Sequence, residues 1–135
     1  MLDALLSSQR DVLILLARLL LVALYILTGW QKILGFSGTA TYMASLGTPF
    51  PKLATVISII LEFFACIALA LGVFTRPLAL LLFLFTLGTA LIGHRYWTME
   101  GPDRHANQLN FFKNMSIMGG LLLLAITGAG RFALM

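Results

Sequence analysis

The chain has 135 residues, and its composition indicates the solvent in which it folds. Hydrophobic residues make up 60% of it, charged residues only 10%, and the mean hydropathy is +0.98. Such a composition excludes an ordinary soluble domain and indicates an integral membrane protein. The net charge of +4 is carried by basic residues scattered between apolar segments, which favours lipid headgroups as their partners and argues against nucleic acid.

Four apolar segments have the length of membrane-crossing helices. Since a helix needs about 20 residues to cross a bilayer, a chain of this size forms one bundle with no separate soluble domain. The pattern predicts an all-α membrane protein, a four-transmembrane-helix bundle that makes a single domain over residues 1–135. The predicted spans cover residues 12–33, 53–74, 78–97 and 111–130.

The segments between the predicted spans differ in character. Residues 35–52 are interrupted by glycines and prolines, and a spacing of three or four between apolar residues predicts a short surface helix there. The turn at Thr75-Arg76-Pro77 is so short that the second and third spans must be antiparallel neighbours. Residues 99–109 form the most polar stretch and are predicted to be a water-exposed loop.

An even number of spans places both termini on the same side of the membrane. Arg10 and Arg18 lie at the leading end of the first span and Lys32 at its trailing end. Because positive charge is retained on the cytoplasmic side, this difference predicts cytoplasmic termini.

One carboxylate lies near the middle of the second span. A lone charge such as Glu62 at that depth is costly and needs a partner, a proton or a function. Arg18 in the antiparallel first span lies at a depth that differs by only about 5 Å, so an Arg18–Glu62 ion pair is predicted. The pair is either a structural clamp or a proton-bearing or ligand-binding site, and in a third interpretation Arg18 extends to the headgroups instead. If the two residues are paired, Arg18→Ala should partly rescue Glu62→Ala.

Residues at helical spacing predict which faces of the first two spans point into the bundle. They are Arg18, Val22, Tyr25 and Gly29 in the first span and Ser58, Glu62 and Cys66 in the second.

A second group of polar and aromatic residues is predicted to converge at the membrane surface opposite the termini. Its members are Trp30, Gln31, Lys32, His94, Asn110, Lys113 and Asn114. They suit an anionic substrate, a quinone headgroup or a proton entry point, unless they form an ordinary interfacial belt. The candidate pocket taken from both groups consists of Arg18, Glu62, Lys32, His94 and Asn114, and no catalytic residue is assigned.

Several kinds of site have no support in the sequence. A single cysteine excludes an internal disulfide and any paired-cysteine redox motif. His94 and His105 are not spaced as metal ligands, so no metal site is predicted. No nucleotide-binding, Walker or hydrolase motif occurs, so no cofactor is encoded by a motif and the enzyme status stays open.

Motifs spread over nearly the whole chain resemble a known family. They are Gly29-Trp30-Gln31-Lys32-Ile33-Leu34, Leu61-Glu62 followed by Leu71-Gly72-Val73-Phe74-Thr75-Arg76-Pro77, and Phe112-Lys113-Asn114 with Gly119-Gly120-Leu121-Leu122. These are similar to the DoxX family of small four-helix bacterial inner-membrane proteins. Further motifs resemble one enterobacterial subgroup: Tyr42-Met43-Ala44-Ser45-Leu46-Gly47, Thr86-Leu87-Gly88-Thr89-Ala90 and Ile92-Gly93-His94 with Tyr96-Trp97.

The resemblance implies a role near membrane redox chemistry. The family takes its name from association with a terminal quinol oxidase, and the related DoxD proteins are subunits of thiosulfate:quinone oxidoreductase. By this resemblance the chain is an accessory protein or small subunit in redox, quinone or sulfur metabolism, with a quinone as the candidate cofactor. The predicted partners are the lipid bilayer, from the composition, a redox partner protein, from the resemblance, and further copies of the chain if it works as an oligomer. The alternatives are a small transporter or channel component working as an oligomer, and a purely structural scaffold.

Overall fold

The computed structural model describes residues 1–134, and helices account for all of the regular structure in that range. Four of the helices are long and apolar enough to cross a membrane. The predicted fold class, an all-α bundle of four transmembrane helices, is therefore confirmed.

The described residues form six helices and one short turn. They are α1 (Leu2–Ser8), α2 (Arg10–Leu34), α3 (Phe36–Ser45), α4 (Pro51–Leu71), α5 (Thr75–Gly93) and α6 (Gly101–Thr127), with a 3-10 turn at Tyr96–Thr98. Helices α2, α4, α5 and α6 are the membrane spans, and α3 is the short helix predicted between the first two.

The polar stretch at residues 99–109 is mostly helical, so the prediction of a loop there is wrong. Helix α6 already begins at Gly101, with Pro102 and Asp103 in its first turn. Proline at the first helical positions and an acidic residue in the first turn are both start signals, because neither conflicts with the unpaired N–H groups of that turn. The helix ends at Thr127, ahead of Gly128 with its positive φ of 78°, and so stops short of the predicted residue 130.

Helix α4 changes its winding around Glu62. Its first part, Pro51–Ile59, and its last part, Cys66–Leu71, are α-helical, whereas Ile60–Ala65 is π-helical. A π turn is wider than an α turn and changes the direction in which the following side chains point, and such turns are frequent at functional sites. Glu62 lies inside this segment and is buried.

The inward faces of α2 and α4 are those predicted. The residues buried on α2 are Arg18, Val22, Tyr25 and Gly29, and those buried in the middle of α4 include Ser58, Glu62 and Cys66. All four spans contribute to the apolar core. It consists of Val22, Tyr25, Cys66, Leu69, Ala79, Leu82, Leu121 and Leu124.

Arg18 closes the end of the bundle that carries the termini. Its guanidinium donates hydrogen bonds to the carbonyls of Ala129 at 2.5 Å, Phe132 at 2.7 Å and Ala70 at 2.9 Å. Ala70 belongs to the last turn of α4, and the other two belong to the tail that follows α6. Carbonyls at helix C-termini are unpaired and carry partial negative charge, so they stabilise a cation. Arg18 is thereby held at 1% exposure without a carboxylate.

The C-terminal tail folds back across the same end of the bundle. The N–H of Leu134 donates to the carbonyl of Leu71 at 3.0 Å, and the N–H of Arg131 donates to the Asp11 carboxylate at 3.0 Å. Together with the Arg18 contacts, these bonds tie the tail to α2 and α4.

Arg18→Met should release the tail, because methionine keeps an unbranched apolar stem but donates no hydrogen bond. The loss of stability should be about 3 kcal/mol, since each lost hydrogen bond contributes on the order of 1 kcal/mol. The free energy of unfolding in detergent measures this loss, and tryptic cleavage after Arg131 should become faster. Arg10→Met, at an exposed position of the same helix, is the control. Equal stability and equal cleavage of the two variants would contradict the clamp.

Candidate functional site

Glu62 accepts two hydrogen bonds from α2. The Nζ of Lys32 pairs with its Oε2, and the hydroxyl of Thr28 donates to its Oε1 at 2.6 Å. The Glu62 side chain is 6% exposed and that of Lys32 is 24% exposed. Both oxygens of the carboxylate therefore have a partner, and its charge is matched by an ammonium group that keeps some access to its surroundings.

A close approach of α2 and α4 determines which residues meet. A Cβ atom placed on Gly29 would lie 2.8 Å from the backbone nitrogen of Phe63 and 3.0 Å from the carbonyl carbon of Glu62. Only glycine allows the two backbones this close. Thr28 and Lys32 are neighbours of Gly29 on the same helix, four residues apart, so both side chains reach the carboxylate.

The predicted Arg18–Glu62 pair is wrong. Arg18 bonds to backbone carbonyls at the end of the bundle. Gly29 is the residue of α2 that lies level with Glu62, and Arg18 lies about 16 Å from it along the helix. An arginine side chain cannot span that distance. The prediction aligned the two helices by the ends of their apolar segments, whereas the contact at Gly29 sets their register. Because Arg18 and Glu62 do not touch, the rescue expected between them is withdrawn.

Lys32 and Glu62 line a cavity of about 320 Å³, together with five of the seven residues of the predicted surface group, Lys32 among them, and with apolar side chains such as Leu24 and Ile117. We call it the polar cavity because its walls carry the charged and amide groups. His94 at the end of α5 and three residues of α6, Asn110, Lys113 and Asn114, line the same space. Of the five candidate pocket residues, the structure brings together Lys32, Glu62, His94 and Asn114, and it excludes Arg18.

Two hydrogen bonds orient groups in the walls of the polar cavity. The Nδ1 of His94 lies 2.9 Å from the Oδ1 of Asn107, and the hydroxyls of Tyr25 and Thr86 are hydrogen-bonded to each other. The Asn107 contact links the end of α5 to the first turns of α6, the part of the chain predicted to be a loop.

An apolar cavity of about 380 Å³ lies beside the polar one. Four residues line both spaces: Lys32, Phe85, Thr89 and His94. The remaining walls of the apolar cavity come mainly from α3, α4 and α5, and include Tyr42, Met43, Leu46 and Ile57. Arg95 donates a hydrogen bond to the carbonyl of Leu46 at 2.7 Å, which ties the end of α3 to the end of α5.

The other two members of the predicted surface group lie outside both cavities. Trp30 is 47% exposed and its ring packs against Phe63, with centroids 5.8 Å apart. Gln31 lines an open surface cleft between α2 and α3, together with Thr28 and Lys32. Lys32 is therefore in contact with the polar cavity, the apolar cavity and the cleft.

The walls of the polar cavity offer hydrogen-bonding and charged groups to a ligand. Within residues 1–134, no group of three His, Cys, Asp or Glu side chains lies close enough together to hold a metal ion. The polar cavity presents ammonium, amide, imidazole and hydroxyl groups, which suit a ligand that accepts hydrogen bonds.

Comparison with known proteins identifies the family. The sequence profile of the DoxX family matches residues 13–95, which is more than half of the chain and includes Glu62, Lys32 and His94. The chain belongs to the DoxX family. The membership that the resemblance predicted is thereby confirmed.

Two bacterial relatives match this DoxX protein over almost its full length. It is 53% identical over 128 residues to the inner membrane protein YphA of Escherichia coli (strain K12), covering 95% of this chain and 91% of YphA. It is 44% identical to the inner membrane protein YqjF of the same organism, covering 95% of this chain and 93% of YqjF. The subgroup resemblance seen in the sequence is to YphA-type members, and the first match supports it. No solved structure matches the chain.

A more distant match covers only part of the chain. The Surfeit locus protein 4 homolog of Schizosaccharomyces pombe is 34% identical over 76 residues, which is 55% of this chain and 25% of that protein.

Thr28 is the functional candidate that the sequence reasoning missed. It lies within an otherwise apolar span, and a single hydroxyl there is not by itself a sign of a site. The available signal was its spacing, because Thr28 lies four residues before Lys32 and therefore on the same face of α2.

A double-mutant cycle should detect the Lys32–Glu62 pair in this DoxX protein. Lys32→Met should destabilise it by about 3–5 kcal/mol because a buried carboxylate loses its partner. Lys32→Met combined with Glu62→Gln should recover part of that loss, with a coupling of about 0.5–3 kcal/mol. The measurement is the free energy of unfolding in bicelles.

The matched control for that cycle is Arg18→Met combined with Glu62→Gln, whose losses should add to within about 0.5 kcal/mol. Additive losses for Lys32 and Glu62, or coupling between Arg18 and Glu62, would refute the observed pairing.

Gly29→Ala should force α2 and α4 apart and weaken the contacts of Thr28 and Lys32 with Glu62. Since overpacking costs about 1–3 kcal/mol, the variant should unfold at a lower temperature in detergent. Gly88→Ala is the control, because a Cβ atom there meets nothing within 4 Å and alanine favours the helix. Equal melting temperatures for the two variants would show that the close approach is not needed.

Proposed function

We propose that this DoxX protein binds a quinone-like amphiphile from the membrane and serves as an accessory protein or small subunit in membrane redox or sulfur metabolism. The observation that carries the proposal is the pair of adjacent cavities, one polar and one apolar, with Lys32, Phe85, Thr89 and His94 in the walls of both. A ligand with a hydrogen-bonding head and an apolar body can occupy both spaces at once.

The donors in the polar cavity fit the head of a quinone. A quinone ring carries carbonyl oxygens that accept hydrogen bonds, and Lys32, Lys113 and Asn114 each offer N–H donors. The apolar cavity supplies the environment that its ring substituents and tail require. Its residues Phe85, Ile57 and Leu46 provide aromatic and aliphatic surface.

The charges already present suit a ligand that is neutral overall but carries electron-rich oxygens. The ammonium of Lys32 and the carboxylate of Glu62 neutralise each other. Lys113 adds one positive charge to the same walls, and carbonyl oxygens can accept a hydrogen bond from it. Bound quinone would supply the redox chemistry, and this chain would supply binding and orientation. The electrons would come from a redox partner protein, since the sequence contains no motif for a resident redox centre.

We expect the protein to lie in the bacterial inner membrane. The four spans and the resemblance to inner membrane proteins support the bacterial inner membrane, with both termini cytoplasmic according to the distribution of positive charge. In this orientation the polar cavity lies toward the periplasmic side.

The test is binding of a short-chain ubiquinone to the purified protein in nanodiscs. Lys113→Met should weaken the affinity by about tenfold, because a hydrogen bond from a charged donor is lost while the Lys32–Glu62 pair stays intact. Lys52→Met is the control, since Lys52 is also exposed at this end of the bundle but lines neither cavity. An azido-substituted quinone should label α3 or α5. Equal affinities of the two lysine variants, or labelling confined to other helices, would reject the proposed site.

A second candidate function has one observation in its favour. The surface cleft of about 470 Å³ shares Thr28 and Lys32 with the polar cavity, which offers a route from the surface toward Glu62. Such a route suits a small transporter or channel component that works as an oligomer. Ion or proton flux in proteoliposomes that Glu62→Gln abolishes, without quinone binding, would favour this function. A protein with neither flux nor binding would be a scaffold.

A further inference from the structure

A second apolar groove lies at the opposite end of the bundle from the polar cavity. It has a volume of about 400 Å³ and runs between α2 and α6, with Leu6 of α1 at its outer end. Two arginines, Arg10 and Arg18, line it together with leucines and small residues. Among the described residues, none that lines the groove is acidic.

The length of the groove matches one leaflet of a bilayer. Its wall on α2 extends from Arg10 to Leu21, which is about 16 Å at the rise of an α-helix. Half of the hydrocarbon core of a bilayer is about 15 Å thick. At the deep end, Leu21 of α2 packs against Gly120 of α6. A Cβ atom placed on Gly120 would lie 3.2 Å from the Cδ1 of Leu21. A groove of this length can extend from the headgroup level to the bilayer centre.

The positive charge at the outer end of the groove favours an anionic lipid headgroup. This end of the bundle carries Arg10, Arg18, Arg76 and Arg131 against Asp3 and Asp11. The Asp11 carboxylate lies 3.9 Å from the Arg10 guanidinium and also accepts the backbone N–H of Arg131, so it balances only part of the positive charge. Arg18 faces backbone carbonyls, and its Nε has no hydrogen-bond partner. A phosphate at the level of Arg10 would compensate this excess.

We propose that the groove between α2 and α6 is a binding site for one anionic phospholipid. One of its two acyl chains lies along Ala17 and Leu21, and its phosphate meets Arg10 at the headgroup level. The site is distinct from the polar cavity and does not depend on what that cavity binds.

The test is native mass spectrometry of the purified protein after incubation with phosphatidylglycerol or with phosphatidylcholine. Wild type should retain one phosphatidylglycerol in preference to phosphatidylcholine. Arg10→Gln should lower retention of phosphatidylglycerol by about fivefold, the effect of one basic residue at a membrane surface. Arg131→Gln, with the same charge change at the same end but outside the groove, should lower retention by much less than Arg10→Gln.

A second pair of variants tests the groove without changing any charge. Ala17→Trp places an indole in the groove and should abolish retention of the lipid, whereas Ala23→Trp, at another exposed position of α2 outside the groove, should not. The proposal is overturned by equal retention of the two lipids in wild type or by equal losses in Arg10→Gln and Arg131→Gln. Full retention in Ala17→Trp, or cross-links that place a second copy of the chain in the groove, would also overturn it.

Discussion

The close approach of α2 and α4 at Gly29 determines which side chains of the bundle can meet. A side chain at this position would collide with the backbone of Phe63, so the two helix backbones are in contact here. This contact sets their register. It places Thr28 and Lys32 beside Glu62, and it places Arg18 level with the last turn of α4. The π-helical turn at Ile60–Ala65 lies at the same level.

Two buried charges are stabilised in different ways because of that register. Glu62 has a cationic side chain and a hydroxyl as partners, in the wall of the polar cavity. Arg18 is surrounded by backbone carbonyls, one in the last turn of α4, where the helix dipole supplies negative potential, and two in the tail that follows α6. Both arrangements avoid an unpaired charge in the membrane, which would be costly. Only the first leaves a charged pair available for chemistry.

The two cavities near Lys32 offer two neighbouring environments, one with hydrogen-bonding groups in its walls and one that is mainly apolar. Phe85 and Thr89 of α5 stand between a polar space lined by α6 and an apolar space covered by α3. Adjacent polar and apolar walls suit an amphiphilic ligand. Its polar part then keeps hydrogen-bond partners and its apolar part stays out of water, so neither part pays a desolvation penalty on binding. The short helix α3, tied down by Arg95 at Leu46, makes the apolar space possible.

The membrane environment, the four spans, the family and the inward faces of α2 and α4 could all be predicted from the sequence, because hydrophobic length and helical periodicity are local properties. The sequence also indicated that Lys32, His94 and Asn114 would meet at one surface. The pairing of Glu62 with Lys32 and Thr28, and the contacts of Arg18 with the C-terminal tail, became visible only in the packed bundle. Partner choice depends on the offset between two helices, and a backbone contact at one glycine sets that offset, which no periodicity encodes. The helical start of α6 was readable from Pro102 and Asp103, but the polarity of residues 99–109 concealed it.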